Sequence, residues 1–219
     1  MKKAIKSVLI CSLALCSLAS CSKSKEKSDS KAESKTPDIV GRWEMEGTDT
    51  GYGLIFTADG KGSIYSDTSS TLHFTAEGPS VAGTVISDKY IKQDGDTLTI
   101  DVNGSEMFIM SRTEAGEGYD GKYALTGGIF YDRYREQMQQ GGEGEDKKLD
   151  IEMDFDGDKS EMVINDIFSY EIDDKTLTVS GFSGFLENNG EPIPAEYKIE
   201  GDTLSIIDSK TTVTLKKAQ

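Results

Sequence analysis

Cysteine is nearly missing from this chain: 219 residues hold three, at positions 11, 16 and 21. Nothing after residue 21 can form a disulfide, act as a thiol nucleophile or offer a thiolate to a metal. Histidine is scarcer still. His73 is the only one, so any Ser-His-Asp arrangement must pass through it, and zinc sites built on His and Cys are excluded by count. It stands between Leu72 and Phe74, and on a strand it faces away from both, as an ordinary strand histidine does. No glycine-rich phosphate loop leads into a helix; the glycines sit at β turns. Positive charge is short too, with 24 Lys and Arg against 39 Asp and Glu. Residues 1–38 carry eight Lys and four acids, so the rest of the chain holds a net −19 out of −15 overall. Such a body repels nucleic acid and anionic surfaces, so no nucleic-acid partner is expected. Acids are so abundant after the linker that a suitably spaced pair for glycoside hydrolysis carries no information.

What is present begins at the N-terminus. Lys2, Lys3 and Lys6 precede the apolar run Val8 to Leu18, which ends in Leu18-Ala19-Ser20-Cys21. Positive region, short apolar region and small-residue cleavage site make a secretory signal peptide over residues 1–20. The run is well short of the ~20 apolar residues that span a bilayer. A cysteine directly after Leu-Ala-Ser resembles the lipobox of bacterial lipoproteins. That resemblance implies cleavage before Cys21 and lipid on its sulfur and on the new N-terminus. Stable anchoring takes more than one acyl chain, at about 0.8 kcal/mol per buried CH2, and a diacylglyceryl group meets that need. Cys21 is thus the expected lipid attachment site, and the location a cell membrane, lipid-anchored, on its extracytoplasmic face. Residues 21–38 then form a tether, since Ser22 to Asp38 has no large apolar residue with which to bury surface.

From Ile39 the pattern is that of β structure. Tyr52 to Thr57 and Ser63 to Ser66 flank Asp59-Gly60, and Tyr90 to Gln93 and Thr97 to Val102 flank Asp94-Gly95-Asp96. Asn103-Gly104 then leads into Glu106 to Met110. Short runs rich in β-branched and aromatic residues around such turns predict hairpins in an antiparallel sandwich or barrel. The pattern is also duplicated. Gly41-Arg42-Trp43 matches Gly121-Lys122-Tyr123, Asp59-Gly60 matches Asp156-Gly157, and Gly95-Asp96-Thr97-Leu98 repeats as Gly201-Asp202-Thr203-Leu204. The second copy is longer, with insertions at Ile129 to Gln140 and within Gly181 to Pro194. Phe130, Tyr134 and Met138 recur at i, i+4 and i+8, so residues 129–140 are predicted as a helix covering one end of a β domain or acting as a lid.

Asp154-Phe155-Asp156-Gly157-Asp158 invites a calcium-loop reading, but with Gly157 sixth the twelfth position is Val163 rather than Glu. A type I′ hairpin turn accounts for the same residues. No metal or cofactor is expected.

With Gly-x-Trp at 41–43, the Asp-Gly hairpin and the closing Gly-Asp-Thr-Leu strand pair, the first half resembles a lipocalin-like bacterial β domain. The second is similar to a module of lipoproteins from Gram-positive anaerobes; together the resemblances cover roughly residues 39–217. They imply two tandem small antiparallel β-sandwich or barrel domains, 39–115 and 116–219, the second carrying the helix. Trp43, Tyr123, Phe130, Tyr134 and Met138 are the residues expected either to fill these cores or to line a ligand cavity. The resulting expectation is a non-enzymatic lipoprotein binding a small apolar or amphipathic ligand or an envelope partner. The alternatives are a surface protein- or glycan-interaction module with filled cores and an envelope-polymer hydrolase.

Overall fold

The computed structural model describes residues 38–47, 51–140, 148–181, 192–208 and 212–218, with side chains as far as residue 137 in the helix. The signal peptide, Cys21 and nearly all of the tether lie outside the described residues, as does the side chain of Met138. Among the described residues the fold is all-β with one α-helix. Its strands are β1 (Gly41–Met45), β2 (Gly53–Phe56), β3 (Lys61–Asp67), β4 (Leu72–Thr75), β5 (Gly78–Val81), β6 (Thr84–Val85), β7 (Ile91–Asp94), β8 (Thr97–Val102), β9 (Ser105–Ala115) and β10 (Gly121–Gly127). After helix α1 (Ile129–Gln140) come β11 (Asp150–Asp156), β12 (Lys159–Asp173), β13 (Thr176–Gly181), β14 (Ile193–Glu200), β15 (Thr203–Ile207) and β16 (Thr212–Lys217). The predicted hairpins form where the turn residues place them. Asn103 and Gly104 both have left-handed φ, +57° and +82°, as a type I′ turn requires. The 157–158 turn differs from the type I′ expectation: Gly157 is left-handed at +58° and Asp158 is not.

Strand order shows how the duplication is used. β3 and β12, equivalent strands of the two copies, pair antiparallel with Tyr65 opposite Val163. Outward from that pair run β2, β1, β16, β15 and β14 on one side and β11, β10, β9, β8 and β7 on the other. Every strand mirrors its equivalent, so the order has a pseudo-twofold through β3–β12. The closing strands are exchanged: β16 of the second copy pairs with β1 of the first, and β9 of the first with β10 of the second. The pairing therefore does not follow the division expected at 115/116, and residues 36–219 form one compact unit.

One side closes and the other does not. Asp166 takes φ +50°, and the register against β3 jumps from Ile164–Ile64 to Phe168–Gly62. This bulge bends β12 so that its far end pairs with β13, which in turn pairs with β14. The ring of β1, β2, β3, β12, β13, β14, β15 and β16 is an eight-stranded closed barrel. On the open side the chain leaves β3 at Asp67, and β4, β5 and β6 form a small separate sheet. A 3-10 turn at Asp88–Tyr90 precedes β7 where the equivalent part of β14 is extended.

Alternation explains the core. Trp43, Leu54, Phe56, Leu177, Leu204 and Leu215 point into the barrel, each at most 1% exposed. The Trp43 Nε1 donates to the carbonyl of buried Ile39 at 2.7 Å. Phe56 meets Phe168 and Tyr170 edge-on, with centroids 5.6 and 5.1 Å apart. The same core continues under the open half, where Phe74 of β4 packs on Phe155 at 4.9 Å and on Tyr119 at 4.7 Å. Helix α1 packs on β9 and β10, bringing Phe130 against Phe108 at 4.9 Å. Its most buried described residue is Tyr131, one position round from the predicted face. The reason lies at Gly128, φ +93°, where a Cβ would come within 2.7 Å of the Met107 carbonyl. The helix starts hard against β9 and turns Tyr131 inward.

Two outcomes follow. A Cβ at Gly62 would lie 2.0 Å from the Phe168 ring, so Gly62→Ala is expected to destabilise by about 1–3 kcal/mol, lowering Tm by several degrees in a thermal melt. Because the closing strands are exchanged, separately expressed 39–115 and 116–219 are each expected to lack native near-ultraviolet circular dichroism and to regain it on mixing. A native spectrum from 39–115 alone would contradict the exchange.

Candidate functional site

The barrel interior is the first place to look, and it is filled. Trp43 is fully buried, and the stem of Lys217 lies over it with Nζ 5.6 Å from the ring centre. Tyr123 occupies the equivalent place in the open half, where Arg112 faces its ring at 5.1 Å and donates from Nε to its hydroxyl at 2.9 Å. The Tyr123 hydroxyl in turn donates to the Tyr119 carbonyl at 3.0 Å. Phe130 and Tyr134 stack along α1 at 5.1 Å, half-buried. Trp43 and Tyr123 thus lie in different parts of one core, and Phe130 and Tyr134 at its margin; they do not converge on a common cavity. His73 is half-buried on β4, with its Nδ1 bonded to the Ser69 carbonyl. Among the described residues no group of three or more His, Cys, Asp or Glu is placed to hold a metal ion.

A polar concavity lies on the outer face of the sheet, a groove of about 1140 Å³ lined from β1, β3, β11 and β12 and, at one end, from β15 and β16. Its floor follows from strand register. Glu44, Gly53, Tyr65 and Val163 are successive outward neighbours on β1, β2, β3 and β12. Gly53 is required there, because a Cβ would sit 2.1 Å from the Trp43 carbonyl and 2.5 Å from the Tyr65 hydroxyl. The Tyr65 ring spreads over that gap and is only 4% exposed. Arg42 lies across it, the guanidinium carbon 3.5 Å from the ring centre, and reaches Glu161 on β12. The pair is bidentate: Nη1 donates to Oε1 at 2.9 Å and Nη2 to Oε2. Both side chains are more than a third exposed, or close to it, so the pair is worth only about 0.2–1 kcal/mol to stability. Its role is to fix a position. Burial alone would lower the pKa of Arg42, but the hydrogen bonds and charge of Glu161 outweigh it and raise it.

Burial likewise pushes the Tyr65 phenol up, against the opposing pull of Arg42, and burial raises Tyr52, Tyr123, Tyr134 and Tyr170 as well.

Arg42, Tyr65 and Glu161 were not singled out by sequence reasoning. They are 23 and 96 residues apart in succession, and only the β1–β2–β3–β12 pairing joins them. The available signal was weak: outward positions of opposite charge on predicted strands, and a glycine opening β2. Comparison with protein-family models, curated proteins and solved structures finds no match. The groove is strongly charged. Its lining holds Arg42, Lys159, Lys216 and Lys217 together with Glu44, Asp67, Asp154, Asp156, Glu161 and Asp202.

The tyrosines give a pH prediction. The native state keeps five of nine phenols neutral above the ordinary pKa of about 10, while the unfolded chain ionises there. The unfolded state then binds fewer protons, so stability is full below about pH 10 and falls as pH rises through the raised native values. Phenolate absorbance should show part of the tyrosines ionising late, together with loss of near-ultraviolet circular dichroism. All nine titrating at the ordinary value with the fold intact would contradict this.

Proposed function

We propose that this protein is a lipid-anchored, non-enzymatic lipoprotein of the extracytoplasmic membrane face that holds an envelope protein partner in its outer groove. The anchor reading rests on Lys2, Lys3, Lys6, the run Val8 to Leu18 and Leu18-Ala19-Ser20-Cys21. The observation that carries the binding reading is the contrast between a filled barrel and an open polar groove. Sites for small apolar ligands are concave and mostly apolar. Here the apolar interior is occupied by Trp43 and its neighbours, and the groove is lined by both signs of charge. That favours the interaction module over the carrier of a small apolar ligand. A polypeptide suits the groove better than a glycan, because the lining is dense in charged side chains of both signs, which pair with charged side chains rather than with neutral hydroxyls.

Two measurements test this. Cys21→Ala should move the protein from the membrane fraction to the aqueous phase; persistence on membranes would remove the anchor. A photo-crosslinking amino acid placed at Lys159 or Lys216 in the groove, in intact cells, should yield protease-sensitive adducts, and one at Glu171 outside it should not. Protease-resistant adducts would point to a glycan instead, and equal labelling at all three positions would end the groove reading.

A further inference from the structure

We propose that the groove receives a basic polypeptide segment whose lysine or arginine takes Glu161 from Arg42; this rests on the groove being the binding face. The register of the sheet supplies the first reason. Glu161 stands directly between Asp67 on β3 and Asp154 on β11. Three carboxylates therefore face one another across adjacent strands, and like charges directly opposite destabilise a sheet. The chain does little to offset them. Among the described residues Arg42 forms its ion pair with Glu161. Lys122 answers first to Glu152, at 3.5 Å, and to Asp154 only at longer range. Asp67 has no ion-pair partner among the described residues; its Oδ1 accepts the Ser69 amide at 2.8 Å. Of the other cations that line the groove, Lys216 pairs with Glu46 at 3.1 Å and Lys217 lies over Trp43, while Lys159 stands at the start of β12 on the same face as Glu161. The three carboxylates lie side by side across adjacent strands, and an extended ligand with spaced positive charges matches that row.

Tyr65 supplies the second, independent reason. Its phenol oxygen is enclosed on the groove floor and has no hydrogen-bond partner among the described residues. A buried hydroxyl without a partner is a standing penalty that native proteins rarely carry without a reason. Arg42 is its roof. When an incoming cation occupies Glu161, Arg42 swings off the ring, and the freed hydroxyl donates to a backbone carbonyl of the bound segment. One movement satisfies the acid row and the phenol together.

The test uses the full lipidated chain in neutral detergent micelles, titrated calorimetrically with tetralysine and with tetraglutamate. Tetralysine should bind saturably with one-to-one stoichiometry and tetraglutamate should not. Neutralising the row (Asp67→Asn, Asp154→Asn, Glu161→Gln) should weaken tetralysine binding about tenfold or more, whereas Glu106→Gln, Glu171→Gln, Glu196→Gln should change it less than about twofold. The row variant should also melt higher than the native chain, since facing like charges are removed. Tyr65→Phe should weaken binding a few-fold without lowering Tm. Equal loss in the two triple variants would mean attraction to whole-body charge and would overturn the proposal, as would equal binding of tetraglutamate. Groove crosslinks to a partner with no tetralysine binding would defeat this inference alone; absence of groove crosslinks would defeat the function beneath it.

Discussion

The antiparallel pairing of β3 with β12 joins the two copies of the repeat at equivalent strands, and the order of the other strands on either side depends on it. Once Tyr65 lies opposite Val163, each copy's β hairpin and opening strand extend away from the centre. The last strand of each copy then meets the first strand of the other. Neither copy retains the edge that would close it on itself. Gly62 is the smallest part of this joint and the least replaceable, because the bend that sends β12 into the barrel lays Phe168 on its backbone.

The local elements were legible from sequence for a physical reason: each is fixed within a few residues. Asp-Gly and Asn-Gly turns need left-handed φ and appear at Gly60, Gly95, Asn103-Gly104 and Gly157. The two Gly-Asp-Thr-Leu copies turn alike, Gly95 at φ +58° and Gly201 at +59°, and each sends its leucine inward, Leu98 and Leu204. Helix bounds 129–140 also emerge from glycines on both sides. What the repeat could not reveal is which copy each closing strand joins. Trp43 with Lys217 and Tyr123 with Arg112 are equivalent aromatic–cation pairs, and in both the cation comes from the other copy. A pattern identical in both copies is satisfied by either pairing, so periodicity alone carries no information about the exchange. The groove was hidden for the same reason, since Arg42 and Glu161 belong to different copies.

Exchange also explains why the groove lies where it does. The outward faces of β1, β2, β3, β12 and β11 form one surface only because the two copies share a sheet. Asp67 and Glu161, each an ordinary solvent-facing strand residue within its own copy, become direct neighbours at the joint. In two separate domains, the arrangement expected from the repeat, these carboxylates would never have met.

The same joint argues against the barrel as a container. Trp43 fills the interior, tied by its Nε1 to the Ile39 carbonyl, and its strand is held between β2 and β16. Vacating a buried tryptophan site costs about 3–5 kcal/mol. A domain of this kind has roughly 5–15 kcal/mol of stability in all. An apolar ligand entering the barrel would have to offset that loss before gaining any affinity. A ligand in the outer groove displaces only Arg42 from an exposed ion pair worth about 0.2–1 kcal/mol. Far less has to be broken to admit a ligand on the outside of the sheet than inside the barrel.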